Sequence, residues 1–535
     1  MIFNKAKKFQ PLEKGLFCLA VLLHISLALS IHLSPDEAHY ALYATHLDWS
    51  YYDHPPLVGW LQWMMLQSSQ IDFICRIAPQ ISWILSVYLS IALYQQFQDT
   101  RSRPLDQENE HLQYRSYRVG SALILWLTSP LLTLLGFALV PDCLLLPLVS
   151  AMMLLTWTMT HQKGAPSTHQ WVLLGVLLGL CGLSKYTAIL LAMSAGFVLL
   201  KTHGFKLLKE KGCWIACIIA LLMITPILYW NMKHEWSSFV YQFGHASGSQ
   251  PWQLRKSISY AIVLLLAFGP LLAIGLIFSN PKREPNTDML SKNETSTLGG
   301  SDSSPSAMTV AMFSWAYGLP TVLLFILLAG RGSALPHWIA PAWVALIPLA
   351  AIGLDRWRAF MPRLWRGILS FQALCCAGLV VLIFSGGIGN EVEWAARSLP
   401  GEKPPSSKPN PFADLIGWDM ASKRAMELAS ENHANSLAVM NWTLASRVAW
   451  YARPLPVKVI QSHHDQFDLW FGPMQEGDDV IWIDWSLMTF DKPLATDQFE
   501  SCDLLEQMPI IHWGRQIAHF NFLYCKNWQS TTSSK

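Results

Sequence analysis

Charge is what this chain lacks most. Only 14% of its 535 residues are Asp, Glu, Lys or Arg, where globular proteins carry roughly a quarter. Combined with 52% hydrophobic residues, 25 Trp and 24 Phe and a mean hydropathy of +0.28, that deficit excludes an ordinary soluble enzyme and points to a polytopic membrane protein. A field of one sign is missing too: the net charge is +2, so nothing recruits nucleic acid globally. The ten cysteines form no CxxC pair and no zinc-type spacing, and eight fall in apolar segments, where small buried thiols are ordinary. Cys502 and Cys525 lie outside those segments and suit a disulfide if the tail is extracytoplasmic. No internal repeat of the kind found in duplicated transporters is visible.

Windows of about 19 residues mark apolar runs near 15–33, 73–96, 119–137, 143–160, 171–183, 186–200, 213–230, 258–279, 309–329, 338–354 and 367–388. These predict eleven transmembrane helices, the fifth of them short. The first run follows Lys5, Lys7, Lys8 and Lys14; its length and the lack of a small-residue cleavage site favour a retained anchor over a signal peptide. With a cytoplasmic N-terminus, the inner segments carry 20 Lys and Arg, whereas the outer loops carry five: Lys185, Lys233, Arg255, Lys256 and Arg331. That asymmetry is what the positive-inside rule expects, and an odd helix count places the C-terminus outside.

The stretch 280–308, rich in Ser, Pro, Gly, Asn and Thr without apolar period, reads as a disordered cytoplasmic connector. Beyond about Asn390 the hydropathy falls to soluble values. Strand-like runs at 436–441, 456–460 and 479–484 alternate with helical stretches at 419–432 and 443–451, predicting a small α/β extracytoplasmic domain. The expected division is therefore a membrane domain over 1–388 and a soluble domain over 389–535.

The first outer loop reads Ser34-Pro35-Asp36-Glu37-Ala38-His39-Tyr40 and then Trp49-Ser50-Tyr51-Tyr52-Asp53-His54-Pro55-Pro56. Carboxylates this close to the membrane are costly unless paired or used. An isolated Ser-Pro-Asp-Glu is more often a helix cap, and Asp142, in Val140-Pro141-Asp142, has the same plain explanation. What favours function is the company. The topology brings both acids to one membrane face with Lys185 in Gly182-Leu183-Ser184-Lys185-Tyr186, Arg331, and His337 in Leu335-Pro336-His337-Trp338. Lys233, Arg255 and Lys256 read as snorkelling anchors, and Trp49, Trp60 and Trp63 as an interfacial belt.

These motifs, in this order, resemble those of the GT-C integral-membrane glycosyltransferases, in particular bacterial proteins similar to the protein O-mannosyltransferases and the lipid A aminoarabinose transferase. The likeness covers most of residues 10–390. The tail's Asp414-Leu415-Ile416-Gly417-Trp418 and Gln466-Phe467-Asp468-Leu469-Trp470 look like the bacterial outer domain. The resemblance implies transfer of a sugar, with inversion, from a polyprenyl-phosphate carrier to a hydroxyl of an envelope acceptor: lipid A, another glycolipid, a polysaccharide or a protein. The setting it implies is the outer face of a bacterial inner membrane.

Under that resemblance Asp36 is the expected base, Glu37 positions the base or the sugar, and Asp142 orients the acceptor or shares the base role. Lys185, Arg331 and His337 are expected around the departing phosphate, with Tyr52, Asp53, His54 and Trp338 as further substrate contacts. The aminoarabinose branch carries Lys where this chain has His54 and Arg where it has His39, which suggests a different sugar or carrier. No cofactor is certain. A divalent metal is conceivable, with Asp53, His234 and His245 as weak candidate ligands. The rival reading from another class is a transporter or flippase for a lipid-linked saccharide, which calls for ionisable residues near mid-membrane. A catalytically dead scaffold holding the same lipid is a second.

Overall fold

The computed structural model describes residues 9–101, 120–247, 251–279, 309–332, 334–387, 410–460, 464–488 and 495–529. The expected connector 280–308 lies outside them.

All eleven apolar runs fall on helices. Among the described residues eight helices are long and apolar enough to cross a membrane: Pro11–Ser30, Asp72–Thr100, Pro141–His161, Tyr186–Lys209, Lys211–Lys233, Val310–Ala329, Pro336–Phe360 and Pro362–Ser385. The chain is a multi-pass membrane protein. The fifth run is the short helix Thr168–Ser184, as its length foretold. Two other runs are interrupted. The run near 119–137 breaks at Ser129-Pro130 into Gly120–Thr128 and Pro130–Leu134. The run near 258–279 bends by 97° between Leu254–Phe268 and Pro270–Phe278.

Backbone groups freed by such breaks must be satisfied inside an apolar medium, and one side chain serves both. Gly269 takes φ +87 at the bend, a conformation open to glycine, and Pro270 has no amide hydrogen to lose. Gln372, 1% exposed, accepts from the Leu271 amide at 3.1 Å. Its amide nitrogen donates to the Thr128 carbonyl at 3.1 Å and to the Thr128 hydroxyl at 2.9 Å.

The chain forms two compact units: residues 1–24, 79–136 and 141–376, and residues 25–78, 137–140 and 377–535. In the first, Pro336–Phe360 is 83% buried and Pro141–His161 72%, against 11% for Lys211–Lys233, so the first two form its centre. Close approach there needs glycine: a Cβ on Gly353 would lie 1.9 Å from the Gly275 carbonyl oxygen.

The second unit contains a five-stranded sheet built from β1 (Ser436–Val439), β2 (Val457–Val459), β3 (Val480–Trp485), β4 (Phe499–His512) and β5 (Arg515–Trp528), in the order β2-β1-β3-β5-β4. The first three are parallel, and β5 runs antiparallel to both β3 and β4. The runs at 436–441, 456–460 and 479–484 become β1, β2 and β3; helix Trp418–Glu431 precedes β1, Trp442–Tyr451 joins β1 to β2, and Gln466–Phe471 lies between β2 and β3. The long β4–β5 hairpin was not anticipated. Cys502 and Cys525 sit opposite each other across it and form a disulfide. The core on this sheet gathers Ala438, Val480, Trp482, Phe499, Leu523 and Trp528.

Candidate active site

The sequence-predicted residues lie in two clusters, one in each unit. The first is built on helix Pro35–Thr45. Ser34 caps it and Glu37 returns the bond, completing a capping box, so the local sequence dictates the helix start. The capping explanation of Ser34 and Glu37 therefore holds, and it does not exhaust Glu37. The Arg76 guanidinium meets both its oxygens, Nε to Oε1 and Nη2 to Oε2 at 2.8 Å each, while the amides of Ser34 at 3.0 Å and Leu139 at 3.1 Å donate to the same carboxylate. Arg76 also donates to the carbonyls of Ala28, Ile31 and His32. Burial pushes the Glu37 carboxyl up, but the charge and hydrogen bonds of Arg76 and the two amides outweigh it, so its pKa lies below the usual value. Glu37 is 2% exposed, with every acceptor direction occupied. Asp36, its neighbour, is half-buried.

Two residues further on, His39 turns into an aromatic enclosure. Its ring has Tyr40, Tyr43, Trp442, Phe467 and Trp470 at centroid distances of 5.2–5.8 Å. His39 Nε2 lies 3.1 Å from Asp53 Oδ2, and the Tyr43 hydroxyl donates to the other Asp53 oxygen. Burial raises the Asp53 carboxyl, and His39, His54 and Tyr43 together pull it down further than burial lifts it; the net direction is well below the usual range. His39 Nδ1 is 3.4 Å from Ser446 Oγ. This Ser-His-Asp connectivity is not a nucleophilic triad: Ser446 is fully buried, and its hydroxyl donates to the Trp442 carbonyl of its own helix at 2.7 Å.

The tail supplies much of this cluster. The Tyr52 amide donates to Gln466 Oε1 at 2.7 Å, Tyr52 lies 5.8 Å from the His464 ring, and the His54 ring packs edge-on against Tyr40 at 5.4 Å. Asp465 caps helix Gln466–Phe471; His463 lies outside the described residues. Arg447, fully buried, bonds to Asp414 and stacks 3.7 Å from the Trp418 ring centroid. Both motifs noted in the tail are thus structural members of this unit.

The second cluster belongs to the first unit. Asp142 begins helix Pro141–His161 and is 1% exposed. Lys185, in the extended break between Thr168–Ser184 and the 3-10 turn Tyr186–Ala188, sends its ammonium to both Asp142 oxygens at 2.7 Å. The Ser184 hydroxyl fixes the break by donating to the Pro141 carbonyl at 2.9 Å. His337 Nε2 stands 3.9 Å from Asp142, and the Trp338 ring centroid lies 5.6 Å from the Lys185 ammonium. Arg331 is exposed, in the turn after helix Val310–Ala329.

Among the described residues no group of three or more His, Cys, Asp or Glu is placed to hold a metal ion. Asp53 is engaged by His39 and Tyr43, and His234 stacks on Trp230 at 3.9 Å with Nδ1 2.9 Å from the Trp230 carbonyl. The His245 side chain lies outside the described residues. The residues that sequence reasoning missed are Arg76, Tyr43, Trp442 and Ser446. Arg76 alone had a readable signal, a cation inside an apolar run.

Comparison with known proteins finds the same fold in solved structures. The structure matches the crystal structures of ArnT from Cupriavidus metallidurans in the apo state and bound to undecaprenyl phosphate, with TM-scores of 0.57 and 0.59 at 13% identity, covering 95% of this chain and 97% of that one. Residues 114–230 match the family described as dolichyl-phosphate-mannose-protein mannosyltransferase. The chain is 23% identical over 318 residues to the lipid A galacturonosyltransferase RgtD of Rhizobium johnstonii, an overlap of 58% of each protein. The match thus spans less than two thirds of that relative. The resemblance to the GT-C glycosyltransferases read from the motifs is borne out.

Proposed function

We propose that the chain is an inverting glycosyltransferase that moves a sugar from a polyprenyl-phosphate carrier to a hydroxyl of an envelope acceptor at the outer face of a bacterial inner membrane. One observation carries this reading: Asp36 stands half-buried beside a Glu37 that Arg76, Ser34 and Leu139 saturate. The pair divides the work, one carboxylate fixing the backbone and the other meeting substrate. An acceptor hydroxyl is a weak nucleophile, and a carboxylate that takes its proton as it attacks contributes a factor of about 10² to 10⁴. Asp36 has that role. The C1–O bond to the carrier breaks as the acceptor oxygen bonds to C1 from the opposite side, and the phosphate leaves with the electron pair.

Charge building on that phosphate calls for fixed donors. His337, His54 and Arg331 are the assigned candidates. Lys185 serves through Asp142, fixing both oxygens of a buried carboxylate that orients the acceptor. Tyr52, Asp53 and Trp338 line the sugar. The carrier is favoured by the likeness to a protein solved with undecaprenyl phosphate, and a glycolipid acceptor by the likeness to a lipid A galacturonosyltransferase. The outward orientation is supported by the 20-to-5 distribution of basic residues and by a disulfide in the tail.

Replacing Asp36 by Asn tests the assignment. Sugar transfer is expected to collapse while folding and carrier binding persist; unchanged transfer removes Asp36 as base. Mass spectrometry of envelope lipids and glycans from cells with and without the gene names the missing sugar and its acceptor together.

A further inference from the structure

A cavity of about 560 Å³ opens in the second unit at the C-terminal end of the first membrane helix. It is amphipathic in a particular way. Leu29 and Ile71 line it and are 64% and 56% exposed. Two exposed aliphatic side chains beside the end of a membrane helix are a surface for acyl chains.

The polar wall holds Arg453, Asp72, Asp419 and His32. The Arg453 guanidinium lies 3.5 Å from the Trp450 ring centroid, which fixes its plane. Its Nη1 is buried with no hydrogen-bond partner among the described residues, and a donor left so is costly unless something fills the cavity. Asp72 is already engaged by the Trp450 indole at 2.9 Å and by the Tyr451 hydroxyl. His32 accepts from the Gly417 amide on Nδ1 at 3.1 Å, and its Nε2 lies 3.2 Å from Asp419. The Asp419 side chain remains 53% exposed. The wall thus sets the Arg453 guanidinium beside two carboxylates, and a group carrying both signs complements it.

We propose that this cavity binds the headgroup of phosphatidylethanolamine, with its phosphate on Arg453, its ammonium on Asp419 and an acyl chain against Leu29 and Ile71.

The test uses the full-length protein equilibrated with vesicles of equal parts phosphatidylethanolamine, phosphatidylglycerol and phosphatidylcholine, repurified in mild detergent, with retained lipid counted by mass spectrometry. Phosphatidylethanolamine is expected to be enriched over both others. Arg453→Gln and Asp419→Asn each remove one charged hydrogen bond and lower that enrichment about tenfold, the scale of such a bond. Water-soluble phosphoethanolamine is expected not to displace the lipid, because it lacks the acyl contact. Retention in the vesicle ratio, preference for phosphatidylglycerol, displacement by the soluble headgroup, or wild-type enrichment in both variants overturns the proposal. If Arg453→Gln does not fold, the half-exposed Asp419 carries the test alone. No sugar transfer is measured, so a failure here leaves the enzymatic reading standing.

Discussion

Arg76 holds Glu37 by two parallel 2.8 Å bonds while also gathering the carbonyls of Ala28, Ile31 and His32. The guanidinium is spent on the end of the first membrane helix and the start of the next helix together. Removing one partner strands the other in a dry site, at a cost of roughly 3–5 kcal/mol. Arg76→Ala is therefore expected to lower the thermal unfolding midpoint in detergent sharply, and Arg76→Met with Glu37→Met to regain much of the loss. A single variant that melts with the wild type would show the clamp to be idle.

The Lys185–Asp142 pair gives a kinetic prediction. Lys185→Met and Asp142→Asn each disrupt one buried unit, so each is expected to reduce transfer by about 10²-fold, and the double variant by little more, since residues acting as a unit are not additive. Steady-state transfer rates decide the matter: multiplicative losses contradict the coupling, and full activity in Lys185→Met excludes the lysine.

Asp53 predicts a pH dependence. Its folded pKa is depressed below the unfolded value of about 3.9. The stability it contributes is thus fully present above that value and disappears as pH falls toward the folded pKa. The melting difference between wild type and Asp53→Asn should shrink as pH falls below about 4. A gap that widens on acidification contradicts the assignment.

Gln372 satisfies backbone at two interrupted helices. Gln372→Leu leaves the Leu271 amide and the Thr128 carbonyl unpaired and is expected to cost about 1–3 kcal/mol for each stranded group. Differential scanning of the purified protein reads this directly.

Periodicity and hydropathy made the helices legible, because a span needs about 20 apolar residues whatever surrounds it. Nothing local announced that Ser129-Pro130 and Gly269-Pro270 would interrupt two of them. Proline occurs inside several other helices here, Pro147, Pro320 and Pro348 among them, without a comparable break. The β4–β5 hairpin escaped notice because much of β4 faces solvent and carries Glu500, Asp503 and Glu506, so no buried alternation marks it. At the site, Asp36, Glu37, Asp142 and Lys185 were visible as ionisable residues where hydrophobicity ends. Their partners were not. That Lys185 serves Asp142, or that His39 is ringed by Trp442, Phe467 and Trp470, depends on contacts across tens to hundreds of residues of chain.

The split composition of the second unit bears on how the protein is made. Residues 25–78 leave the ribosome about three hundred residues ahead of the segment from 377 onward that completes their packing. In the interval His39 is without three of its five aromatic neighbours, and the Tyr52 amide is without Gln466. A chain stopped after its last membrane helix would therefore carry its first loop without these packing partners.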